Sequence, residues 1–315
     1  MDWSNVAFVF PGQGSQVVGM AKDIADAYPA AHDVIQQADA ILDFPLSALM
    51  FSGAEDVLND TINTQPALFV SGIAILHALK TELPDAQPAF VAGHSLGEFT
   101  ALAAAGALSF SDGLRLVRER GRLMKDAGDA QPGAMAAILG LDADRVRDVC
   151  AQAAAETGGV LVLANDNCPG QVVISGENAA LDHGLVLAKS AGAKKAIKLA
   201  VSIAAHSPLM QRAAARFAEA LANTEFKQPV VPVYGNVSAA PLTGVDAIRH
   251  ELETQLTQSV RWTESVQRMV ADGANVFVEF GPKDVLTGLL KRIDGTKTAV
   301  AINSLNNLRQ FLEKT

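Results

Sequence analysis

The chain has 315 residues, of which 49% are hydrophobic and 19% charged, and its formal net charge is −9 at pH 7. This composition is that of a globular protein large enough for one domain with a smaller companion. Proteins that bind nucleic acid or anionic membranes usually carry a basic surface, and the net charge of this chain is negative. We therefore expect neither partner. The first twenty residues show no basic segment ahead of an apolar one, and Cys150 and Cys168 form no metal-like cluster. We therefore predict a cytoplasmic protein with reduced thiols and no bound metal.

The first predicted element is a buried strand that leads into a glycine-rich loop. Residues 6–10 (VAFVF) are continuously apolar, which is typical of a strand buried on both faces of a sheet. Residues 11–16 (PGQGSQ) follow, and they match neither the G-x-x-x-x-G-K-[ST] nor the G-x-G-x-x-G pattern. Glycines in this loop let the backbone approach either a substrate oxygen or a neighbouring turn.

Two helices are predicted next, at about 20–42 and 66–82, and the second has Pro66 in its first turn. Within the second helix, residues 67–79 form the longest apolar stretch of the chain. This stretch is too short, and too interrupted by polar residues, to span a bilayer. We predict that it is a buried helix.

Residues 88–107 predict a strand, a sharp turn and a helix, with a serine at the turn. The strand is 88–92, the helix is 96–107, and Gly93 and Gly97 flank Ser95 in the G-x-S-x-G spacing. Such a turn strains its middle residue and leaves no room for side chains two positions away on either side. The pattern favours a nucleophilic serine beside helix N–H groups that can bind an oxyanion. The alternative is a loop serine that caps a helix.

A helix predicted at 111–127 carries one charged side chain on its apolar face. At about 100° per residue, four basic residues share a solvated face: Arg115, Arg118, Arg122 and Lys125. Arg120 lies instead in the apolar arc formed by Leu116, Val117, Leu123 and Met124. Because an unpaired buried guanidinium is costly, Arg120 needs either an internal carboxylate or the carboxylate of a ligand.

The region 131–199 predicts a small subdomain inserted into a larger one. Its pattern is strand 133–139, helix 142–156, strands 160–164 and 171–175, helix 177–191 and strand 194–199. This βαββαβ order is ferredoxin-like.

Afterwards a larger α/β pattern resumes, with strands at 230–234, 275–280 and 298–303 and helices at 208–222, 245–257, 262–272, near 282 and at the C-terminus. Strands alternating with helices predict a mostly parallel sheet covered on both faces, in a larger subdomain of residues 1–130 and 200–315.

A serine nucleophile needs a base, and six histidines compete for this role. His94 adjoins Ser95, but a sharp turn sends neighbouring side chains in different directions. Four others lie in helical patterns: His32, His77, His183 and His250. His206 lies between a strand-like run and a helix, where catalytic residues tend to be displayed. It is the candidate base, and a structural histidine is the alternative.

Five motifs in this order resemble the malonyl-CoA:acyl carrier protein transacylase family. They are 11–16 (PGQGSQ), 93–98 (GHSLGE), 120–121 (RG), His206, and Gln255 ahead of 260–263 (VRWT). The resemblance covers residues 6–281, nearly the whole chain. It implies an α/β-hydrolase-like larger subdomain and transfer of malonyl from coenzyme A to the phosphopantetheine thiol of acyl carrier protein. It implies no cofactor, since the coenzyme A thioester is the substrate.

The same resemblance implies a role for each matched residue. Ser95 would be the nucleophile, His206 its base, and the backbone carbonyl of Gln255 would orient His206. The backbone N–H groups of Gln13 and Leu96 would form the oxyanion hole. The malonyl carboxylate would accept two parallel hydrogen bonds from the arginine on the apolar helix face, Arg120.

Alternatives to malonyl transfer stay open at this point. Residues 203–205 (IAA) precede His206, whereas malonyl-selective relatives in polyketide synthases often show His-Ala-Phe-His there, so methylmalonyl or acetyl selectivity is an alternative. A serine acyl hydrolase would share the turn and the histidine, but it would have little reason to bury Arg120. A silent module that only binds carrier protein would need none of these side chains.

The densest basic cluster consists of Lys189, Lys194, Lys195 and Lys198, at the end of helix 177–191 and along the strand that follows. An acidic carrier protein would need a local basic surface on this acidic chain. The cluster is therefore either the docking surface for that partner or an ordinary solvated helix end.

Overall fold

The computed structural model describes residues 2–315, which contain a five-stranded and a four-stranded β-sheet. The larger sheet consists of β1 (Val6–Phe10), β2 (Phe90–Gly93), β7 (Val233–Tyr234), β8 (Val276–Phe280) and β9 (Thr298–Ile302). Its order is β7-β2-β1-β8-β9, and all neighbouring strands are parallel. Every residue of β1 is buried, as expected at the centre of a parallel sheet covered on both faces. The predicted α/β class is confirmed.

The smaller sheet consists of β3 (Gly133–Leu139), β4 (Leu161–Cys168), β5 (Gln171–Glu177) and β6 (Lys195–Lys198). The strand order is β4-β5-β3-β6, and all neighbouring pairs are antiparallel. Helices α8 (Ala143–Thr157) and α9 (Asn178–Ser190) share a separate apolar core with this sheet. This is the predicted ferredoxin-like arrangement.

Helices cover the larger sheet. In chain order they are α1 (Lys22–Ala27), α2 (Pro29–Leu42), α3 (Leu46–Ser52), α4 (Glu55–Asn59), α5 (Thr61–Glu82), α6 (Gly97–Ala104), α7 (Phe110–Ala130), α10 (Gln211–Ala222), α11 (Val245–Gln255), α12 (Trp262–Ala271), α13 (Val285–Ile293) and α14 (Leu305–Leu312). The predicted helix 20–42 is two helices, because Pro29 disfavours helical backbone at the residue before it and begins α2. The short helices α3 and α4 were not predicted from the sequence.

Helix α5 begins earlier than predicted, and Pro66 therefore lies inside it. The Asp60 side chain caps the helix by accepting the N–H of Ile62. Pro66 cannot donate to the Ile62 carbonyl four residues back. Arg118 Nη1 donates to that carbonyl instead, at 2.7 Å. The prediction that Arg118 lies on a fully solvated face was therefore wrong, because this half-buried side chain satisfies the carbonyl freed by the proline.

Among the described helices, α5 is the one long and apolar enough to cross a membrane by length and composition. Within its most apolar window, 89% of the residues are buried inside the fold. Its neighbours are α2 and α7, so α5 is a core helix.

The segment between α11 and α12 connects the two sheets. Val260 donates its N–H to Ala164 and accepts the N–H of Asp166, so it pairs with the end of β4. Gln255 is the last residue of α11 and directly precedes this segment.

Candidate active site

Ser95 lies in a strained turn between β2 and α6, with φ of 51°. This left-handed conformation is disfavoured for any residue with a Cβ. A Cβ on Gly93 would lie 1.9 Å from the carbonyl oxygen of Gly97, and a Cβ on Gly97 would lie 2.0 Å from that of Phe10. Both glycines are therefore required by contact within the turn and with β1, which supports the steric interpretation of the G-x-S-x-G spacing.

His206 lies directly beside the serine. Its Nε2 is 2.8 Å from Ser95 Oγ, and its Nδ1 is 2.8 Å from the backbone oxygen of Gln255. Because a carbonyl only accepts, Nδ1 carries the proton and Nε2 is left to accept from the serine hydroxyl. Burial, and next the charge of Arg120, lower the pKa of His206 to about 3. The imidazole is therefore neutral near pH 7.

The surroundings of His206 differ from the prediction in one respect. No strand precedes it, because β6 ends at Lys198 and residues 199–205 are irregular. His206 itself has a φ of 57°. The histidine is thus displayed by a strained turn ahead of a short 3₁₀ helix, Pro208–Met210, rather than by a strand end.

Arg120 is only 1% exposed, yet no ion pair of the described residues 2–315 includes it. Its Nη1 donates to Gln65 Oε1 at 2.8 Å, and its Nη2 donates to Gln255 Oε1 at 2.9 Å and to Ser95 Oγ at 3.1 Å. Its Nε has no partner in this part of the chain. Burial lowers the pKa of Arg120 to about 10, so the group is still charged near pH 7. A direct salt bridge is therefore absent, and the nearest carboxyl group, Glu98, reaches Arg120 only through Gln255.

A buried carboxyl group, Glu98, orients the amide of Gln255. Gln255 Nε2 donates to Glu98 Oε2 and also to the backbone oxygen of Ser95. The amide oxygen must then point the other way, towards Arg120. Burial raises the pKa of Glu98 well above its ordinary value, and the neighbouring Glu251 raises it further.

The predicted oxyanion donors belong to the serine turn itself and to the loop after β1. A Cβ on Gly12 would lie 2.4 Å from the carbonyl oxygen of His94, so the loop after β1 contacts the serine turn. Within residues 2–315, the backbone N–H groups of Gln13 and Leu96 donate to no protein acceptor. The Gln13 side chain points away and accepts from Thr61 Oγ1 at 2.9 Å. Two unpaired N–H groups are what a developing oxyanion requires.

The other polar groups near the serine have different partners. His94 Nε2 lies 2.8 Å from Asn167 Oδ1, and its ring packs edge-on against Trp262, so His94 does not contact Ser95 Oγ. In the described part of the chain, no group of three or more histidine, cysteine or acidic side chains could hold a metal ion.

Comparison with known proteins identifies the family. The sequence profile of the acyl transferase domain matches residues 7–306. The malonyl CoA-acyl carrier protein transacylase of Haemophilus influenzae is 44% identical to this chain, over 97% of this chain and 98% of the relative. The malonyl CoA-acyl carrier protein transacylase of Escherichia coli (strain K12) is 45% identical, over 98% of this chain and 98% of the relative. The chain belongs to the malonyl-CoA:acyl carrier protein transacylase family of acyl transferases.

Solved structures of the transacylase family share the whole fold. The crystal structure of an acyl carrier protein S-malonyltransferase from Vibrio cholerae has a TM-score of 0.94 at 44% identity, covering 98% of this chain and 99% of that one. A malonyl-transacylase in complex with its type II polyketide acyl-carrier protein has a TM-score of 0.94 at 42% identity, covering 99% of this chain and 100% of that one. This transacylase therefore has the fold of its family along its full described length.

Sequence reasoning missed three residues that contact the site: Gln65, Glu98 and Asn236. Gln65 is a buried polar residue in the apolar helix α5, and a polar residue in an apolar helix could have been recognised from the sequence as a candidate site residue. Glu98 follows the serine turn directly. Asn236 comes just after the predicted strand 230–234, at the sheet edge where the serine turn lies.

Proposed function

We propose that this chain transfers a malonyl group from coenzyme A to the phosphopantetheine thiol of acyl carrier protein through an ester on Ser95. The observation that carries the proposal is the buried, unpaired Arg120 in contact with a serine and histidine pair. A neutral acyl group would leave this cation without an anion, whereas malonyl supplies one. The names of the relatives, and the carrier protein bound in one related structure, support the same substrates.

The first half of the reaction uses a hydroxyl, an imidazole and two backbone N–H groups. Ser95 Oγ attacks the thioester carbonyl while His206 Nε2 takes the hydroxyl proton. The N–H groups of Gln13 and Leu96 bind the oxyanion of the tetrahedral intermediate. The C–S bond then breaks, and coenzyme A leaves as the thiol with the proton that His206 returns.

The second half reverses these steps with a different thiol. The carrier-protein thiol gives its proton to His206 and attacks the serine ester, and Ser95 leaves with that proton. A thioester is exchanged for an ester and then for a thioester, so the cycle needs neither ATP nor a resident cofactor. The two thiols occupy the site in turn, as in a ping-pong mechanism.

Arg120 is the proposed ligand of the malonyl carboxylate. The amide oxygens of Gln65 and Gln255 hold the two Nη atoms, so the guanidinium has a defined plane before substrate arrives. A planar fork matches a carboxylate through two parallel hydrogen bonds. The carboxylate would take the place of the two weaker contacts, from Nη2 to Ser95 Oγ at 3.1 Å and from Nη1 to Met124 Sδ at 3.3 Å.

We also propose that the two sheets correspond to two subdomains, with residues 1–130 and 200–315 forming the larger and 131–199 the smaller. Separate apolar cores on the two sheets support this division. Exposed Lys189, Lys194, Lys195 and Lys198 belong to the smaller unit, and we propose them as the carrier-protein docking surface.

Intact mass spectrometry after incubation with malonyl-CoA tests the proposed function. We expect a stable malonyl adduct that is absent from Ser95→Ala and that disappears when carrier protein with its phosphopantetheine arm is added. Free malonate without transfer would instead indicate an acyl hydrolase. An unchanged mass and intact malonyl-CoA would indicate a silent carrier-binding module.

A further inference from the structure

A buried asparagine spans the serine turn. Asn236 follows β7, the strand that pairs with β2, and it is 0% exposed. Its Nδ2 donates to the backbone oxygen of Gly93 at 2.7 Å, and its Oδ1 accepts the N–H of Ser95 at 2.6 Å. One side-chain amide therefore binds the backbone of Gly93 and of Ser95, the two residues on either side of His94.

The backbone of Asn236 is itself fixed. Its N–H donates to Glu98 Oε1 at 3.1 Å, and its carbonyl accepts the N–H of Arg261 at 2.8 Å. The side-chain amide has only one orientation that satisfies both of its contacts, since the Gly93 carbonyl needs a donor and the Ser95 N–H needs an acceptor. Both the backbone of Asn236 and the side-chain amide that bridges Gly93 and Ser95 are therefore fixed.

The conformation of Ser95 depends on such a bridge. A left-handed backbone is strained for serine, so it persists only where the surroundings impose it. If the backbone of Ser95 relaxed, Oγ would move away from His206 Nε2, which lies at 2.8 Å. The bridge also engages the Ser95 N–H, and so leaves oxyanion binding to the N–H groups of Gln13 and Leu96.

We propose that Asn236 is a positioning residue that holds Ser95 in its reactive conformation and acts on acylation rather than on substrate binding. The inference rests on the proposed role of Ser95 as the nucleophile. Asn236 contacts none of the groups proposed to bind malonyl, so its loss is expected to affect the rate constant of acylation and to spare affinity.

The test compares Asn236→Ala and Asn236→Asp with a matched control, Asn63→Ala. Asn63 is also buried, at 8% exposure, and its side chain likewise makes two contacts, donating to the Val57 carbonyl and accepting from Arg118 Nη1. Single-turnover acylation by malonyl-CoA gives a rate constant and a Kd for each variant. Labelling of Ser95 by phenylmethylsulfonyl fluoride reports on the nucleophile without the natural substrate. Thermal melting separates loss of stability from loss of reactivity.

We expect Asn236→Ala to lower the acylation rate constant and the labelling rate by roughly 100-fold, the effect of a displacement of about 1 Å at a reacting atom, with Kd within about threefold of wild type. Asn236→Asp keeps the acceptor for the Ser95 N–H but loses the donor to Gly93, so it should recover part of both rates. Asn63→Ala should lower the melting temperature and leave both rates unchanged.

Wild-type rates in Asn236→Ala, or a loss expressed in Kd alone, would overturn the proposal. So would equal rate losses in Asn236→Ala and Asn63→Ala, since these would report stability only. If Ser95 of the wild type is labelled but no malonyl is transferred, the proposed substrate is wrong, and the labelling rates alone then decide the role of Asn236. If wild-type Ser95 is not labelled at all, both the nucleophile and its positioning residue are wrong.

Discussion

Arg120 Nη2 lies 3.1 Å from Ser95 Oγ, the same oxygen that His206 Nε2 contacts at 2.8 Å. A buried cation and a neutral imidazole therefore both contact the hydroxyl of the proposed nucleophile. A carboxylate that pairs with Arg120 would withdraw a hydrogen bond from the serine oxygen and neutralise the charge that lowers the basicity of His206. In the proposed reaction, recognition of the acyl group and activation of the serine would thus be coupled through Arg120.

Replacing Arg120 by alanine should change acyl preference rather than abolish turnover. The malonyl carboxylate loses its partner, at a cost of roughly 3 to 5 kcal/mol for a buried pair, while an acetyl group no longer meets an unpaired cation. The ratio of kcat/KM for acetyl-CoA to that for malonyl-CoA should therefore rise. Arg118→Ala, on the same helix, is the control and should leave the ratio unchanged. Parallel losses for both substrates would assign Arg120 a structural role.

Gln13 should matter through its backbone and not through its side chain. Gln13→Ala removes only the contact to Thr61 and should have little effect on turnover. Gln13→Pro deletes the proposed oxyanion donor and should lower kcat by about 100-fold or more. Steady-state kinetics and melting curves of the two variants make the comparison. Equal losses in both would refute an oxyanion role for this N–H group.

The pH profile of kcat/KM should lack the titration step of an ordinary histidine. Because burial and the charge of Arg120 lower the pKa of His206 to about 3, the neutral, active form persists as the pH falls from neutrality. We expect no acid limb in kcat/KM between about pH 5 and 7, the range of an ordinary histidine. Arg120→Met removes the charge that lowers the pKa of His206, so any acid limb should move to higher pH. A wild-type limb near pH 6.5 would contradict this assignment.

Charge reversal in the lysine cluster tests carrier-protein docking. An exposed charge pair contributes up to about 1 kcal/mol, so Lys194→Glu with Lys195→Glu should raise KM for the carrier protein roughly tenfold and weaken its salt dependence. Transfer to pantetheine should be unchanged. A double variant of equal charge, Lys80→Glu with Lys227→Glu, is the control, since both lysines lie outside the smaller sheet. Unchanged carrier-protein kinetics at low ionic strength would place docking elsewhere.

The elements that the sequence predicted well are governed by local chemistry. The serine turn follows from two glycines within four residues of each other, because steric contact between near neighbours sets that geometry. The ferredoxin-like order follows from apolar periodicity and strand length within 133–199. Burial of Arg120 follows from its angular position on one helix. Each can be predicted from spacing or periodicity, although the group that a Cβ on Gly97 would meet is the Phe10 carbonyl of a distant strand.

The partners of these groups depend on tertiary structure. His206 is oriented by a carbonyl 49 residues away, and the Ser95 N–H is bound by a side chain 141 residues away. Helix α5 continues through Pro66 because Arg118, from another helix, satisfies the carbonyl that the proline leaves free. Periodicity gives the direction of a side chain from its own helix or strand. Which group it meets depends on how the helices and strands pack. Packing determines that Arg120 donates to two amide oxygens, a serine hydroxyl and a thioether sulfur, and to no carboxylate directly.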